Sequence, residues 1–438
     1  MNKVDGTAAS GRQFADHALR GAVLGEVHAR PFYLTESPRG FLRFAFMTEG
    51  KTAESERAWL NALCEARGAP AVSPAARVHQ IPFGSGILRW EGHSEFSTYT
   101  WDAPLAPDSS PFGSDPSDHP FGEAFRAPGP LISAIRLELR PQPADLETAI
   151  ATFDPISLCV SRVEAGTGRI VTDFKQDGDG RTRILVLDNG LSPQNAGALV
   201  LRLLEIETYR TLALLGLPQA HESVPDILEI EEHLSEISAE LQETKSISAN
   251  RDLLRQLSRL ATSVEAIAAK SAFRFGATRA YDEIVSLRLQ SIDEDADAGY
   301  STFARFLARR LAPAMRTCQA TERRLETLSM RLSRAAGLLR TRVDVELEEQ
   351  NRVLLESMNK RARLQLRLQQ TVEGLSVAAI SYYIVGLIGY GVKGLASMGL
   401  ELDENLAVAL SVPVVIGLIW WIVRRIRKHH GDDASDSS

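Results

Sequence analysis

The chain has 438 residues, of which 44% are hydrophobic and 24% charged, a composition typical of a folded protein with two or three domains. Its 49 basic and 56 acidic residues give a net charge of −7, so we expect no nucleic-acid partner. Its three cysteines are scattered singly, which excludes a disulfide framework and every cysteine-based zinc site.

The N-terminal part of the sequence predicts a flexible lead at residues 1–13 and a mixed α/β domain at residues 14–190. Apolar residues at helical spacing from Leu19 to Val27 predict a first helix, which continues until Pro31 stops it. Seven prolines between Asp102 and Pro130 predict a long surface loop at residues 102–130. The other elements predicted here are a helix at Glu54–Ala66 and strands at Phe41–Met47, Arg77–Pro82, Gly86–Trp90, Glu95–Trp101, Leu131–Leu139, Ser157–Val163, Ile170–Lys175 and Thr182–Leu187.

The middle of the chain predicts only helices, which form a bundle and a stalk over residues 191–374. These helices are expected at residues 192–216, 224–244 and 249–292, and from Thr302 into the segment that follows the stalk. Apolar residues keep a heptad seam from Leu325 to Leu339 on the last helix, and a step of four residues then moves the seam to a second run from Val343 to Met358. This seam fits two interpretations, a bundle within one chain and a coiled-coil stalk that joins several chains, and both stay open.

The C-terminal part contains two segments without a charged residue, Leu375–Val392 and Leu406–Val423, of 18 residues each. Each is long enough to cross a bilayer, so they predict a two-helix transmembrane hairpin at residues 375–423. The flanking basic residues are Lys360, Arg361, Arg363 and Arg367 before the first segment and Arg424, Arg425, Arg427 and Lys428 after the second. By the positive-inside rule, both termini lie in the cytoplasm, with residues 424–438 as a basic and then acidic tail. The N-terminus has no apolar signal segment, so the large domain is expected in the cytoplasm as well.

Several sequence motifs resemble a bacterial family known as domain of unknown function 3422. They are EVHARP at Glu26–Pro31, WEGHSEFSTYT at Trp90–Thr100, LEIETYR at Leu204–Arg210, RTRVDVELEEQ at Arg340–Gln350 and RARLQLRLQQTVEGLS at Arg361–Ser376. The resemblance implies an uncharacterised, membrane-anchored protein of the bacterial inner (plasma) membrane. It implies no activity.

The order of the elements also resembles the architecture of CorA-type divalent cation channels, which are homo-oligomers. Those channels end their first span with Tyr-Gly-Met-Asn, and this chain has Tyr390 and Gly391 followed by Val392 and Lys393. The resemblance makes Tyr390, Gly391 and Lys393 the candidate residues of a pore or its outer mouth. A ring of lysines there would repel divalent cations, which argues against that selectivity.

Two groups of polar residues are candidate binding sites. Glu91, His93 and Glu95 alternate, so in one extended strand they would share a face and could hold a divalent metal. Gly92 favours a turn, in which the three side chains would diverge and pair with other groups. The second group is Glu26, His28 and Arg30, on the first helix, which either pair with one another or bind an anion.

No phosphate-binding loop, esterase elbow or zinc-protease motif occurs in the sequence, so we expect no enzyme and no cofactor. The predicted fold class is α+β, with an N-terminal α/β cytoplasmic domain, a helical stalk and a transmembrane hairpin. The predicted function is that of a membrane-anchored scaffold or regulator, with the lipid bilayer and a second copy of the chain as expected partners. The alternative is a CorA-like homo-oligomeric transporter or channel for metal ions.

Overall fold

The structure, a computed structural model, describes residues 33–48, 51–74, 76–107, 109–243, 246–297, 299–396 and 404–432, and the single residues 17, 20 and 24. The chain divides into two compact units, of which the first contains residues 1–243 and 255–336 and the second residues 244–254 and 337–438. The predicted flexible lead at residues 1–13 and helix at residues 19–27 lie outside the continuous described ranges, as do the last residues of the tail, 433–438.

The first unit contains one mixed sheet in its described residues. Its strands are β1 (Arg39–Met47), β2 (Val78–Phe83), β3 (Gly86–Gly92), β4 (Phe96–Pro104), β5 (Leu131–Pro141), β6 (Cys159–Val163), β7 (Gly168–Gln176), β8 (Thr182–Asp188) and β9 (Asp295–Ala296). They lie in the order β2-β3-β4-β1-β5-β8-β7-β6-β9. Only the pairing of β5 with β8 is parallel among those described, and the other pairs are antiparallel.

The rest of the described chain is mostly helical. The helices are α1 (Lys51–Arg67), α2 (Leu146–Ile150), α3 (Pro193–Ala213), α4 (Gly216–Glu243), α5 (Ile247–Ile292), α6 (Phe303–Ala396) and α7 (Glu404–Asp432). The predicted start of a helix at residue 224 is wrong, because α4 begins at Gly216 and continues through Pro225. Pro218 does not prevent this, since it lies in the first turn, where backbone N–H groups have no partner within the helix.

Apolar side chains cover the sheet on both faces. On one face, α1 contributes Leu60 to a cluster that includes Trp90 and Tyr99. On the opposite face, α3 contributes Leu203 and the neighbouring strands contribute residues such as Phe41. Because both faces are covered, polar residues on these strands are buried too, and they need partners within the protein.

The proline-rich segment is a loop only after Pro104, and the predicted start at residue 102 is wrong, because β4 continues through Asp102 to Pro104. Among its described residues, no helix or strand occurs between Pro104 and Leu131. Phe121 and Phe125 from this loop pack against the cluster on the α1 face of the sheet. The loop is therefore anchored to the sheet through its aromatic side chains.

Both charge-free segments lie within helices of the second unit. The C-terminal part of α6 and most of α7 are long and apolar enough to cross a membrane. Their side chains are largely exposed, with exposed fractions of 73% for Leu375 and 64% for Leu410. The described chain thus has two apolar helices that are not covered by a protein core.

Candidate functional site

A cavity of about 260 Å³ lies between the sheet and α3 in the first unit. One wall consists of side chains from three adjacent strands, β1, β4 and β3. The antiparallel register places Thr100 on β4 directly between Arg43 on β1 and Arg89 on β3. Because side chains alternate along a strand, the residues two positions away from these three line the same wall. That wall contains Arg39, Phe41, Arg43, Ile87, Arg89, Glu91, Thr100 and Asp102.

The opposite wall is the apolar face of α3, which contributes Val200, Leu201 and Leu204. The helix begins here because Ser192 caps it: its Oγ accepts a hydrogen bond of 3.2 Å from the backbone N–H of Asn195. Leu199 and Leu203, on the neighbouring face of α3, are buried in the core, and this burial fixes the helix against the sheet.

A short extended segment, Tyr33 to Thr35, closes a third side of the cavity. The backbone N–H of Thr35 donates a hydrogen bond of 3.0 Å to the carbonyl of Pro193 on α3. At Gly197 the two chains approach so closely that an added Cβ would lie 1.8 Å from the carbonyl oxygen of Tyr33. Only glycine permits this contact, so Gly197 determines how the segment meets the helix.

Asp102 carries the strongest charge interactions in the cavity. It is 2% exposed, and its two carboxylate oxygens accept hydrogen bonds from Arg39 and Arg89 respectively. The guanidinium of Arg89 also lies 4.1 Å from the centre of the Tyr33 ring, in a cation–π contact. Two arginines therefore share a single buried carboxylate.

Arg43 makes longer hydrogen bonds than Arg39 and Arg89 make to Asp102. It is 3% exposed, and its terminal nitrogens donate to Thr100 Oγ1 and Glu91 Oε2 over 3.3 Å each. Across the part of the chain that the structure describes, the Nε atoms of Arg43 and Arg89 have no hydrogen-bond acceptor. Leaving a buried donor without an acceptor costs about 1–3 kcal/mol. The cavity thus combines three guanidinium groups, two carboxylates and two unmet donors.

In the comparison with protein families, residues 15–430 match the family described as "Protein of unknown function (DUF3422)". The chain belongs to this family. The comparison with curated proteins found no match. Membership of the DUF3422 family agrees with the resemblance seen in the sequence, while neither comparison supports the resemblance to CorA-type channels.

In this DUF3422 protein, the predicted group of Glu91, His93 and Glu95 spans the turn between β3 and β4. Glu91 lies in the cavity wall, and His93 Nε2 is 3.9 Å from its Oε2. The imidazole of His93 stacks on the Phe96 ring at a centroid distance of 4.1 Å. Among the described residues, no group of three or more His, Cys, Asp or Glu side chains could hold a metal ion.

Glu95 is occupied by contacts to α5 instead. Its carboxylate accepts hydrogen bonds of 3.2 and 2.7 Å from Arg274 and one of 2.6 Å from the Tyr281 hydroxyl. Burial, followed by the hydrogen bond to Glu95, raises the pKa of the Tyr281 phenol above its usual range. Glu95 is therefore a structural residue that joins the turn to a helix.

The described lining of the cavity contains none of the other predicted site residues. Glu26, His28 and Arg30 lie outside the described residues. Tyr390, Gly391 and Lys393 lie near the end of α6 in the second unit, where Tyr390 is 77% exposed.

Sequence reasoning did not single out Arg39, Arg43, Arg89 or Asp102. A usable signal exists in β4, FSTYTWDAP, where polar residues alternate with Tyr99 and Trp101. The large aromatics indicate a buried face, and a covered opposite face would bury Thr98, Thr100 and Asp102 as well. Recognising a site also requires the strand pairing, which the sequence does not specify.

Proposed function

We propose that this protein is a scaffold or regulator anchored in the bacterial inner membrane by two helices. In this proposal, the end of α6 and α7 form a multi-pass hairpin, both termini are cytoplasmic, and the first unit binds its partner in the cytoplasm. The proposed role is binding, not catalysis. The observation that carries the proposal is the exposure of apolar side chains along both charge-free helices.

This exposure distinguishes the helices from the core helices of a soluble protein. Only 6% of the most apolar stretch of α6 and 11% of that of α7 is buried within the protein. Exposing this apolar surface to water costs a free energy of roughly 25 cal/mol for each Å². A lipid bilayer removes this cost, which supports the membrane as the surroundings of these helices.

Contacts between the two helices support a hairpin. Ser381 and Val385 on α6 line a groove together with Val412 and Ile416 on α7. Nearer the connection, an added Cβ on Gly389 would lie 3.6 Å from Val408. Residues with higher numbers on α6 therefore contact residues with lower numbers on α7, as in an antiparallel pair.

The end of α7 has the features of a membrane–water interface. The guanidinium of Arg424 lies 4.9 Å from the centre of the Trp420 ring, and that of Arg425 lies 5.2 Å from the Trp421 ring. Tryptophans favour the headgroup level and arginines the cytoplasmic side, which supports a cytoplasmic C-terminus.

Cysteine labelling in spheroplasts tests this topology. Ser397→Cys places a thiol in the connection between the helices, and Ser437→Cys places one in the tail. The native Cys64, Cys159 and Cys318 are buried, which keeps their background labelling low. We expect a membrane-impermeant maleimide to label the first variant in intact spheroplasts and the second only after lysis. Labelling of both, or recovery of the chain in the soluble fraction, contradicts the proposal.

We also propose that the chain self-associates through the part of α6 before the membrane. Leu354 and Met358 are each 58% exposed and Leu368 is 66% exposed, whereas Leu332, on the same helix, is fully buried. A second copy would cover this exposed part of the heptad pattern. Native mass spectrometry of the full-length protein in detergent tests this, with an oligomer expected and a monomer contradicting the proposal. Leu354→Glu should shift the mass toward monomer, whereas Val345→Glu, on the same helix but outside the seam, should change it less.

A further inference from the structure

We propose that the cavity between α3 and strands β1, β4 and β3 binds a small organic carboxylate with an apolar body. The inference does not depend on the membrane topology, because every residue that lines the cavity belongs to the first unit.

The charges in the cavity select an anion with one negative charge. Three guanidinium groups, from Arg39, Arg43 and Arg89, stand against the carboxylates of Glu91 and Asp102. One unit of positive charge is left over, which a monoanion would neutralise. Burying an uncompensated charge is costly, so a ligand of this charge is favoured over a neutral or cationic one.

Arg43 supplies hydrogen-bond donors for that anion. It is 3% exposed, and the two hydrogen bonds of its terminal nitrogens are 3.3 Å long. The Nε atoms of Arg43 and Arg89 have no acceptor among the described residues, but both are shielded from the cavity, so a ligand reaches them only when these side chains move. A guanidinium presents its donors in a planar fork that matches the two oxygens of a carboxylate. A small rotation of Arg43 would exchange its long bonds to Thr100 and Glu91 for shorter bonds to a ligand.

The opposite wall requires that the rest of the ligand be apolar. Val200, Leu201 and Leu204 from α3 face the strands, and Phe41 and Ile87 extend this apolar surface between the arginines. Inorganic phosphate has no apolar part, so these apolar side chains would remain in contact with water when it binds. A carboxylate on an aromatic or branched aliphatic group would contact it while the fork holds the charged end.

The volume limits the size of the ligand. A dry cavity of about 150 Å³ accommodates benzene. The 260 Å³ available here therefore fits a ligand of roughly ten non-hydrogen atoms. Benzoate, phenylacetate and hexanoate have this size and charge, and each has a neutral amide of nearly the same shape.

Isothermal titration calorimetry on the full-length protein in detergent tests the proposal with these three carboxylates, their amides and inorganic phosphate. We expect at least one carboxylate to bind about tenfold or more tightly than its amide, since the amide lacks the charge-assisted pair. Phosphate should bind more weakly than that carboxylate. The proposal is overturned if no carboxylate binds, if carboxylate and amide bind equally, or if phosphate binds tightest.

Two variants locate the binding. Arg43→Lys keeps the charge but removes the planar fork of donors. It should weaken the binding of the carboxylate by about tenfold. Leu201→Trp fills the cavity from the helix and leaves all three arginines in place, so it should abolish binding even if the Arg43 variant does not fold. Matched controls are Arg162→Lys on β6 and Leu228→Trp on α4, both exposed and outside the cavity. Binding that persists in Leu201→Trp, or that falls equally in the controls, overturns the assignment.

Discussion

Arg274 on α5 donates two hydrogen bonds, of 2.7 and 3.2 Å, to the carboxylate of Glu95 in the β3–β4 turn. The two residues are 179 positions apart in the sequence, and Glu95 is only 3% exposed. This ion pair, with the Tyr281 hydroxyl as a third donor, connects the turn between β3 and β4 to the helical part of the first unit. A buried carboxylate needs hydrogen-bond partners within the protein, so these three donors hold Glu95 in this geometry.

Replacing Glu95 should therefore destabilise the first unit strongly. Glu95→Ala leaves Arg274 and Tyr281 without their acceptor, and we expect a loss of about 3 kcal/mol in the free energy of unfolding. Urea denaturation of the full-length protein in detergent measures this loss. The control is Glu349→Ala, which breaks an exposed pair with Arg352 and should cost less than about 1 kcal/mol. Equal costs for the two variants would contradict a structural role for Glu95.

Gly197 provides a second test, of the contact that closes the cavity. In Gly197→Ala the new Cβ would meet the Tyr33 carbonyl, so we expect a loss of about 2 kcal/mol in the free energy of unfolding. Gly276→Ala on α5 is the matched control, because an added Cβ there meets no atom within 4 Å. Since alanine favours the helix, that variant should gain up to about 1 kcal/mol. If both variants gain stability in urea denaturation, the close approach does not exist in solution.

The strands of the sheet were largely predictable from the sequence, because local alternation specifies them. The predicted strand at residues 182–187 corresponds to β8, for example, and the proline-rich loop follows Pro104, the first of its seven prolines, which ends β4. The helix α2 and strand β9 were missed, since five and two residues are too few to show a period. The break predicted before Val224 failed because the composition there resembles a helix end, whereas the chain continues as one helix.

The candidate site was predictable only in part, because it depends on how distant strands pair. Glu91 was identified from its spacing to His93, yet its side chain binds Arg43, 48 positions away. Similarly, Arg39 and Asp102 meet because β1 and β4 are neighbours in a particular register. Local sequence contains no information on that register beyond which face each residue occupies. Strand order and long-range ion pairs therefore had to come from the structure.

The thiol of Cys159 should make stability depend on pH in the alkaline range. Burial, with Glu294 nearby, raises the pKa of this thiol from 9.0 to about 12. Between these values the unfolded chain loses the proton while the folded chain keeps it, so the free energy of unfolding falls as the pH rises. Cys159→Ala removes this contribution, and its stability should fall less steeply from pH 9 to pH 12. Urea denaturation at several pH values measures both slopes, and parallel curves would show that the thiol ionises alike in both states.

The carboxylate of Glu56 on α1 offers the last test, on the face of the sheet away from the cavity. Its Oε1 accepts hydrogen bonds from Trp90 at 3.0 Å, from Tyr99 at 2.7 Å and from the hydroxyl of Ser97. Burial, and then the charge of Glu56, raises the pKa of Tyr99 above its usual range, which keeps the phenol protonated as a donor. These contacts fix α1 on the sheet.

Glu56→Leu leaves three buried donors without an acceptor, so we expect a loss of about 3 kcal/mol in the free energy of unfolding. Glu56→Gln keeps an acceptor oxygen at the same place and should lose roughly half as much. Glu65→Leu, at an exposed position of the same helix, should change stability by less than about 0.5 kcal/mol. Urea denaturation followed by the fluorescence of the chain's five tryptophans, Trp90 among them, measures these losses. If Gln and Leu at position 56 are equally destabilising, the acceptor oxygen does not account for the stabilisation by Glu56.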